Sequence, residues 1–345
     1  MKTVIRKADP ASLRHAAELL HAGEVVAIPT ETVYGLAALG LNPDAVKKVF
    51  IAKGRPSTDP LILHLPSPDL QQAIHSGIIA NHTPREAFAL ASEFWPGPLT
   101  LVLPRGPQVP PEVTSGLDTV AVRYPAHPVA QQLLTLLGCP LAAPSANRFG
   151  RISPTDAASV MEELDGRVPL ILDGGECSTG VESTVLSLIP PEPIILRPGK
   201  ITPEDIARVL GRPPHHRKQS AAPNQPMASP GMLESHYAPL TPLYLTQEPI
   251  THLQNDLLFI HYRSPGGNLL PNQFVLSDQG DSKTAAKNLY RILRQADAAH
   301  GKAILIDPIP DSLLAPALRD RIQRASAGNA KWEGDAWVLR RKHQS

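Results

Sequence analysis

The stretch Ile28-Pro29-Thr30-Glu31-Thr32-Val33-Tyr34-Gly35-Leu36, followed by Ala52-Lys53-Gly54-Arg55-Pro56-Ser57-Thr58-Asp59-Pro60-Leu61-Ile62-Leu63-His64-Leu65, decides how the chain is read. The apolar run Val25-Val26-Ala27-Ile28 reads as a strand, and Pro29 ends it. A turn of small hydroxyls and glycine follows. Asn42 then offers a helix N-cap and Pro43 a first helical residue, with Val46, Val49 and Phe50 on one face. At the far end of that helix Lys53 and Arg55 flank Gly54, with Pro56 behind them. A basic pair on a Gly/Pro turn beside a hydroxyl-rich strand end suits phosphate: the guanidinium grips oxygens in pairs and the ammonium acts as a point charge. The same Lys-Gly-Arg-Pro turn also fits a solvated helix end, where cations favour the C-terminal dipole. Neither a Gly-x-x-x-x-Gly-Lys-Ser/Thr loop nor a Gly-x-Gly-x-x-Gly loop occurs, so the common nucleotide fingerprints do not decide between the two.

Working outward, the 345 residues are enough for two domains. Hydrophobic content of 42% and charged content of 19% belong to an ordinary globular protein. A net charge of +1 advertises neither a nucleic acid nor a membrane partner, although a local basic patch is compatible with it. Cys139 and Cys177 form no disulfide framework, and no Cys/His cluster has zinc spacing. A reducing, cytoplasmic setting is expected, since the N-terminus lacks a signal-like apolar core and no run is long enough to span a bilayer. The 38 prolines, many placed directly after short apolar runs, predict many short strands with stiff exits.

Residues 1–210 alternate strand-like runs at 25–29, 61–65, 99–104, 119–124, 140–144, 169–173, 183–189 and 193–197 with helical stretches at 10–22, 42–53, 84–94, 126–137, 154–163 and 202–210. Ser153-Pro154 and Thr202-Pro203 read as N-cap plus first-turn proline. The close pair 183–189 and 193–197 implies a mixed sheet. Residues 211–239 read as a proline-stiffened linker, His215-His216 included. Residues 240–345 read as a smaller α/β domain. Its strands are expected at 242–246, 257–262, 273–277 and 303–307, and its helices at 282–300, capped by Ser282, and at 312–327.

Four further segments place polar side chains at strand ends, where open α/β folds bind ligands. They are Thr119 to Pro125 with Arg123, Ala142 to Asn147 with Ser145, Gly180 to Val185 with Ser183, and Leu196 to Gly199 with Arg197. Each alone fits a capping or turn role. Together they describe a polar pocket for an anionic ligand.

Here the motifs become specific. Pro-Thr-Glu-Thr-Val-Tyr-Gly-Leu at 29–36, Lys-Gly-Arg-Pro at 53–56, Pro-Leu-Ile-Leu-His at 60–64 and Trp-Pro-Gly-Pro-Leu-Thr at 95–100 resemble the YrdC-like threonylcarbamoyl-AMP synthases. So do Val-Ala-Val-Arg-Tyr-Pro at 120–125, Ala-Pro-Ser-Ala-Asn at 143–147, Glu-Ser-Thr-Val at 182–185 and Leu-Arg-Pro-Gly at 196–199. Ser-Pro-Gly-Met at 229–232 and Ser-His-Tyr-Ala-Pro at 235–239 resemble the longer, two-domain form.

The resemblance implies an α/β fold: a YrdC-like twisted mixed sheet with helices around an open concave site, plus a smaller Rossmann-like α/β domain. It implies a nucleotidyltransferase that joins L-threonine, bicarbonate and ATP into threonylcarbamoyl-AMP, with Mg²⁺ accompanying ATP. Downstream enzymes would transfer the group to tRNA. Lys53 and Arg55 would act catalytically. With Asp59, Thr119, Ser145, Asn147, Ser153, Arg197 and Tyr237 they would bind ATP. Thr32, His64, Arg123, Ala143 and Ser183 would hold threonine, and the linker with Tyr237 would close as a lid. No protein-held metal is implied. Asp59 departs from the family, which more often has Asn or another non-acidic residue there. Its carboxylate would repel triphosphate unless Mg²⁺ bridged them.

Two other readings compete. One is a double-stranded RNA or tRNA-binding module without synthase activity, with Lys47, Lys48, Lys53, Arg55, Arg148 and Arg151 as its basic surface; no aromatic stacking platform supports it. The other is a carbamoyl-transfer or hydrogenase-maturation role, whose larger proteins add zinc-finger and acylphosphatase segments that are lacking in this sequence.

Overall fold

The structure, a computed structural model, describes residues 2–189, 191–216 and 236–342. These fall into two compact units. The first holds 2–149, 154–178 and the described residues from 182 to 216; the second holds Gly150–Ser153, Thr179–Val181 and 236–342. Most of the expected linker, with the Ser-Pro-Gly-Met motif and the lid expected there, lies outside the described residues.

The first unit is built on a mixed sheet of 11 strands among the described residues. Across the sheet they run Val4–Lys7, Leu170–Asp173, Val26–Ile28, Gly35–Leu39, Leu141–Ala142, Ile62–His64, Thr119–Arg123, Leu99–Pro104, Thr184–Ser187, Ile194–Arg197 and His215–His216. Each strand read from an apolar run is present, 99–104 at its full length and the others shortened. Val4–Lys7 and Gly35–Leu39 were not expected. Val4–Lys7 is exposed and half charged, and Gly35–Leu39 has no β-branched residue. His215–His216, read as linker, instead pairs parallel with Ile194 and Ile195.

Helices cover the sheet. Asn42 caps Pro43–Lys53 by accepting from the N–H groups of Asp44 and Ala45, as its sequence signals require. Thr202 and Asp205 form a reciprocal capping box at the start of Pro203–Leu210. The helix expected from Ser153-Pro154 begins later, as Ala157–Leu164, because Asp156 accepts from Ser159 N–H and is the actual cap. The main core joins Tyr34, Leu36, Leu63, Leu101, Val122 and Leu186, all at most 0% exposed. A second cluster packs Leu20 with Leu133, Leu134 and Leu172.

The second unit carries a six-stranded sheet, in the order Gln273–Ser277, Leu257–Arg263, Ala303–Ile306, Leu243–Thr246, Gly328–Glu333 and Ala336–Arg341. All neighbours pair in parallel except the final hairpin, which the sequence reading missed. Its turn, Gly334-Asp335, was not taken as a hairpin signal. Helix Ser282–Ala298 buries Ala286, Leu289, Leu293 and Ala296 as its periodicity requires, but Asp281 rather than Ser282 caps it.

The middle of the first sheet buries a titratable group. His64 ends its strand at 3% exposure. Burial, followed by the nearby Arg123 charge, pushes the imidazole down from 6.5 to about 3. The folded state therefore stays neutral across a range where the unfolded chain takes up a proton, so stability is fully present above pH 6.5 and drains as pH falls toward about 3. The expected slope from this group is roughly 1.4 kcal/mol per pH unit. In urea titrations between about pH 4 and pH 6, His64→Gln should flatten the stability–pH curve by about one proton. An unchanged slope would mean that His64 titrates normally in the fold.

Candidate active site

Two buried groups of charge are assembled on the first unit, from side chains that the motifs between 29 and 199 carry. The first forms at the end of helix Pro43–Lys53. Gly54 takes the left-handed conformation, with φ 64°, which turns the chain sharply and lets Lys53 and Arg55 both point inward. Lys53 is 2% and Arg55 7% exposed, so the solvated helix end is excluded.

Lys53 donates from Nζ to the carbonyls of Ser145 (2.5 Å) and Asn147 (2.6 Å), and its own carbonyl accepts from Phe149 N–H. Arg55 donates to the carbonyls of Asp59 and Pro60 and pairs with the Asp59 carboxylate at 2.9 Å. Burial and the Arg55 charge push the Lys53 ammonium well below the usual lysine range, against Asp59 and Glu163. Burial raises the Asp59 carboxyl, against the charges of Arg55, Lys53 and Arg197. Three cations thus gather about one buried carboxylate. An arriving polyanion would relieve the mutual repulsion of the cations.

The second group centres on Arg123, 3% exposed at the end of strand Thr119–Arg123. Its Nη1 donates to Thr32 Oγ1 at 3.0 Å and its Nε to the Gly97 carbonyl at 3.2 Å. Its Nη2 lies 2.5 Å from Glu31 Oε1. That last contact is an ion pair without hydrogen-bond alignment, because both Glu31 oxygens and Arg123 Nη2 lack hydrogen-bond partners. His64, the register partner of Arg123 on the neighbouring strand, keeps a buried Nδ1 that also lacks one.

Arg197 acts on the first group through its charge on Asp59. It donates from Nη2 to Ser183 Oγ at 3.1 Å and from Nε to the Ser183 carbonyl, and Ser183 Oγ lies 2.8 Å from Thr100 Oγ1. The turn after Arg197 can lie so close only because residue 199 is glycine: a Cβ there would sit 2.4 Å from Thr184 N.

The expected site residues distribute as follows. Lys53, Arg55, Asp59, Asn147 and Arg197 are buried in or beside the cation group, and Ser145 offers it a carbonyl. Thr119 is half-buried and starts the strand that Arg123 ends, about 13 Å away at the strand rise of ~3.3 Å per residue. Pro60, whose carbonyl Arg55 holds, precedes the neighbouring parallel strand at that same end. Thr32 and His64 adjoin Arg123, and Ala143 and Ser183 are buried as well. Ser153 and Tyr237 belong to the second unit. There Tyr237 is 1% exposed, takes a φ of 65°, and packs against His236, Tyr290 and the Arg321 guanidinium.

Glu31, Thr100 and Gly97 were not singled out. The signal for Glu31 was available: an acid inside a stretch otherwise made of hydroxyl and apolar residues. Cys177 is buried with its thiol pushed up by burial, which makes it a poor nucleophile. Among the described residues no group of three or more His, Cys, Asp or Glu is placed to hold a metal. No helix of the described residues is long and apolar enough to cross a membrane.

Comparison with known proteins identifies the family. The family model Sua5_yciO_yrdC, described as "Telomere recombination", matches residues 18–199, and the model "Threonylcarbamoyl-AMP synthase, C-terminal domain" matches 201–327. The threonylcarbamoyl-AMP synthase of Bacillus subtilis is 42% identical over 334 residues, covering 93% of this chain and 94% of its own length. That of Pyrococcus abyssi is 39% identical over 325 residues, covering 91% and 94%. The crystal structure of P. abyssi Sua5 complexed with L-threonine matches with a TM-score of 0.83 at 37% identity, covering 94% of this chain and 97% of that one. The chain therefore belongs to the Sua5/YciO/YrdC family, in the form that carries the threonylcarbamoyl-AMP synthase C-terminal domain.

Proposed function

We propose that this chain condenses L-threonine, bicarbonate and ATP into threonylcarbamoyl-AMP and pyrophosphate, in the cytoplasm, for the threonylcarbamoyladenosine modification of tRNA by downstream enzymes. The observation that carries the reading is the pair of buried cation groups. One centres on a single guanidinium, the charge that an amino acid's carboxylate needs, and the other on three cations, the charge that suits a polyphosphate. A relative is known in complex with L-threonine.

In this reading Arg123 binds the threonine carboxylate, with Thr32, His64, Ala143 and Ser183 around the rest of the amino acid. Lys53, Arg55 and Arg197 neutralise the triphosphate, with Ser145, Asn147 and Thr119 completing the nucleotide site on the first unit. Asp59 serves it indirectly by orienting Arg55. Mg²⁺ arrives with ATP as part of the substrate. The carbamate oxygen of N-carboxythreonine attacks the α-phosphorus and pyrophosphate leaves. No protein nucleophile is needed. Catalysis comes from alignment of two bound reactants and from charge neutralisation in a site that excludes water.

The RNA-binding alternative is weakened by one set of contacts. Lys47 pairs with Asp44 and Glu112, Lys48 with Glu24 at 2.7 Å, Arg148 with Glu163 and Arg151 with Asp297. Lys53 and Arg55 are buried. The residues offered as a basic surface are thus largely neutralised or turned inward, which leaves little for a phosphate backbone. Direct tRNA contact would have to use other residues.

The test is pyrophosphate release that requires threonine and bicarbonate together. Release without threonine, or none at all, would reject the synthase. In the same assay Arg123→Ala should raise the threonine requirement by at least ~30-fold, since losing a charged contact inside a site costs about 2–5 kcal/mol. Its ATP requirement should change far less. Lys53→Ala and Arg55→Ala should show the reverse, with ATP binding weakened in calorimetry. If all three variants affected both substrates equally, the division of the site would be wrong.

A further inference from the structure

We propose that Glu31 is the proton acceptor that converts the α-ammonium of bound threonine into the attacking amine. The inference rests on the synthase reading and adds a catalytic residue to it. An amino acid reaches the enzyme as a zwitterion, and its ammonium cannot attack carbon until it loses a proton. The site must therefore hold a base beside the group that binds the carboxylate. Glu31 is that base by placement. It is 7% exposed and its carboxylate touches Arg123, the group assigned to the threonine carboxylate.

Neither Glu31 oxygen has a hydrogen-bond partner, nor do Arg123 Nη2 and His64 Nδ1. Glu31 Oε1 and Arg123 Nη2 answer only each other, as an ion pair, while Glu31 Oε2 and, on the register partner of Arg123, His64 Nδ1 answer nothing. Buried polar atoms are almost always hydrogen-bonded, so this set fits a polar ligand that would exchange with the ion pair. A zwitterion answers the pattern. Its carboxylate takes the guanidinium, and its ammonium takes the carboxylate that the guanidinium releases. The backbone holds Glu31 for this: Thr30 Oγ1 donates to the Val33 carbonyl, and Ser178 Oγ donates to the Glu31 carbonyl.

The step balances. The Glu31 carboxylate takes one proton from the ammonium, leaving the neutral amine and a neutral carboxylic acid. The amine nitrogen forms a bond to the carbon of bicarbonate, water leaves, and the N-carboxylate remains. Glu31 then returns its proton to solvent.

The other charged and titratable groups facing Glu31 are Arg123, His127 and Cys177, with His64 beyond Arg123. Burial holds both imidazoles below their ordinary value and the thiol above its own, and the guanidinium stays charged. Their charge states are therefore constant through neutral and mildly alkaline pH, and a pH profile there reads the ammonium.

The experiment is steady-state pyrophosphate release by the full chain and by Glu31→Gln and Glu31→Asp, from about pH 7 to pH 9, with unfolding midpoints recorded. Glu31→Gln should lower kcat by about 10²–10⁴-fold at neutral pH, with the threonine KM unchanged or reduced because Arg123 loses its internal competitor. Its rate should climb by about tenfold per pH unit as solvent deprotonates the ammonium, while the wild-type profile stays flatter. Glu31→Asp should lower kcat less and keep the wild-type pH shape. Wild-type kcat in Glu31→Gln would overturn the proposal. So would a folded Glu31→Gln whose loss follows a raised threonine KM and does not recover with pH, since that is the mark of a structural role. If Glu31→Gln does not fold, wild-type kcat in Glu31→Asp overturns the proposal, and a reduced kcat at unchanged KM supports it. Failure of the wild type to release pyrophosphate would instead fell the synthase reading, and this proposal with it.

Discussion

A single buried ammonium organises the site. Lys53 is held between the carbonyls of Ser145 and Asn147, and Phe149 N–H returns to the Lys53 carbonyl. The loop so fixed also receives Leu36 N–H at Pro144, while Ala146 N–H donates to Tyr34. Tyr34 in turn accepts from Gly174 N–H and donates to the Gly175 carbonyl through its hydroxyl. Between these ties lies the Thr30-Glu31-Thr32 turn. The position of Thr32 and Glu31 against Arg123 thus depends on the lysine at the end of a helix. An ammonium in such a place is costly unless its donors are satisfied, and loss of a partner for a buried charge costs about 3–5 kcal/mol.

The two carboxylates share one physical role before ligands arrive. Glu31 on Arg123 and Asp59 on Arg55 keep each guanidinium compensated within a dry interior. Each arginine is thereby fixed in direction while its anion partner is exchangeable. Neither group carries the full repulsion of its cations.

Much of the fold was legible because the chain punctuates itself. Prolines after apolar runs marked strand exits, and Asn42-Pro43 and Thr202-Pro203 marked helix starts. What failed was local competition. Ser153-Pro154 carried a capping signal, yet Asp156 three residues on supplied a better acceptor and the helix began there. The same happened at Ser282, where Asp281 stands one residue earlier. Gly35–Leu39 lacked β-branched residues and became a strand only because Val26–Ile28 and Leu141–Ala142 flank it. The site was legible as motifs, while its pairings were not. The sequence placed Arg123 at a strand end, and the family resemblance implied a carboxylate for it; that Glu31 lies against it is a tertiary fact. Whether Lys53 faced water or the interior depended on packing that spacing cannot express.

The hairpin that closes the second sheet bears on how the protein behaves in crowded solution. Among the described residues Ala336–Arg341 is the last strand of that sheet, paired on one side only. A flat, apolar rim of this kind would invite another chain to add on. Here the hairpin has Lys331, Glu333 and Arg340 along it, with Arg340 paired to Glu333 at 3.0 Å and Lys331 at 3.8 Å from the same carboxylate. A stacking strand would have to strip water from these charges while finding no partners for them. The rim is thus guarded by solvation rather than by a covering element, and association between copies at that edge should be resisted most where salt is low and the charges are least screened.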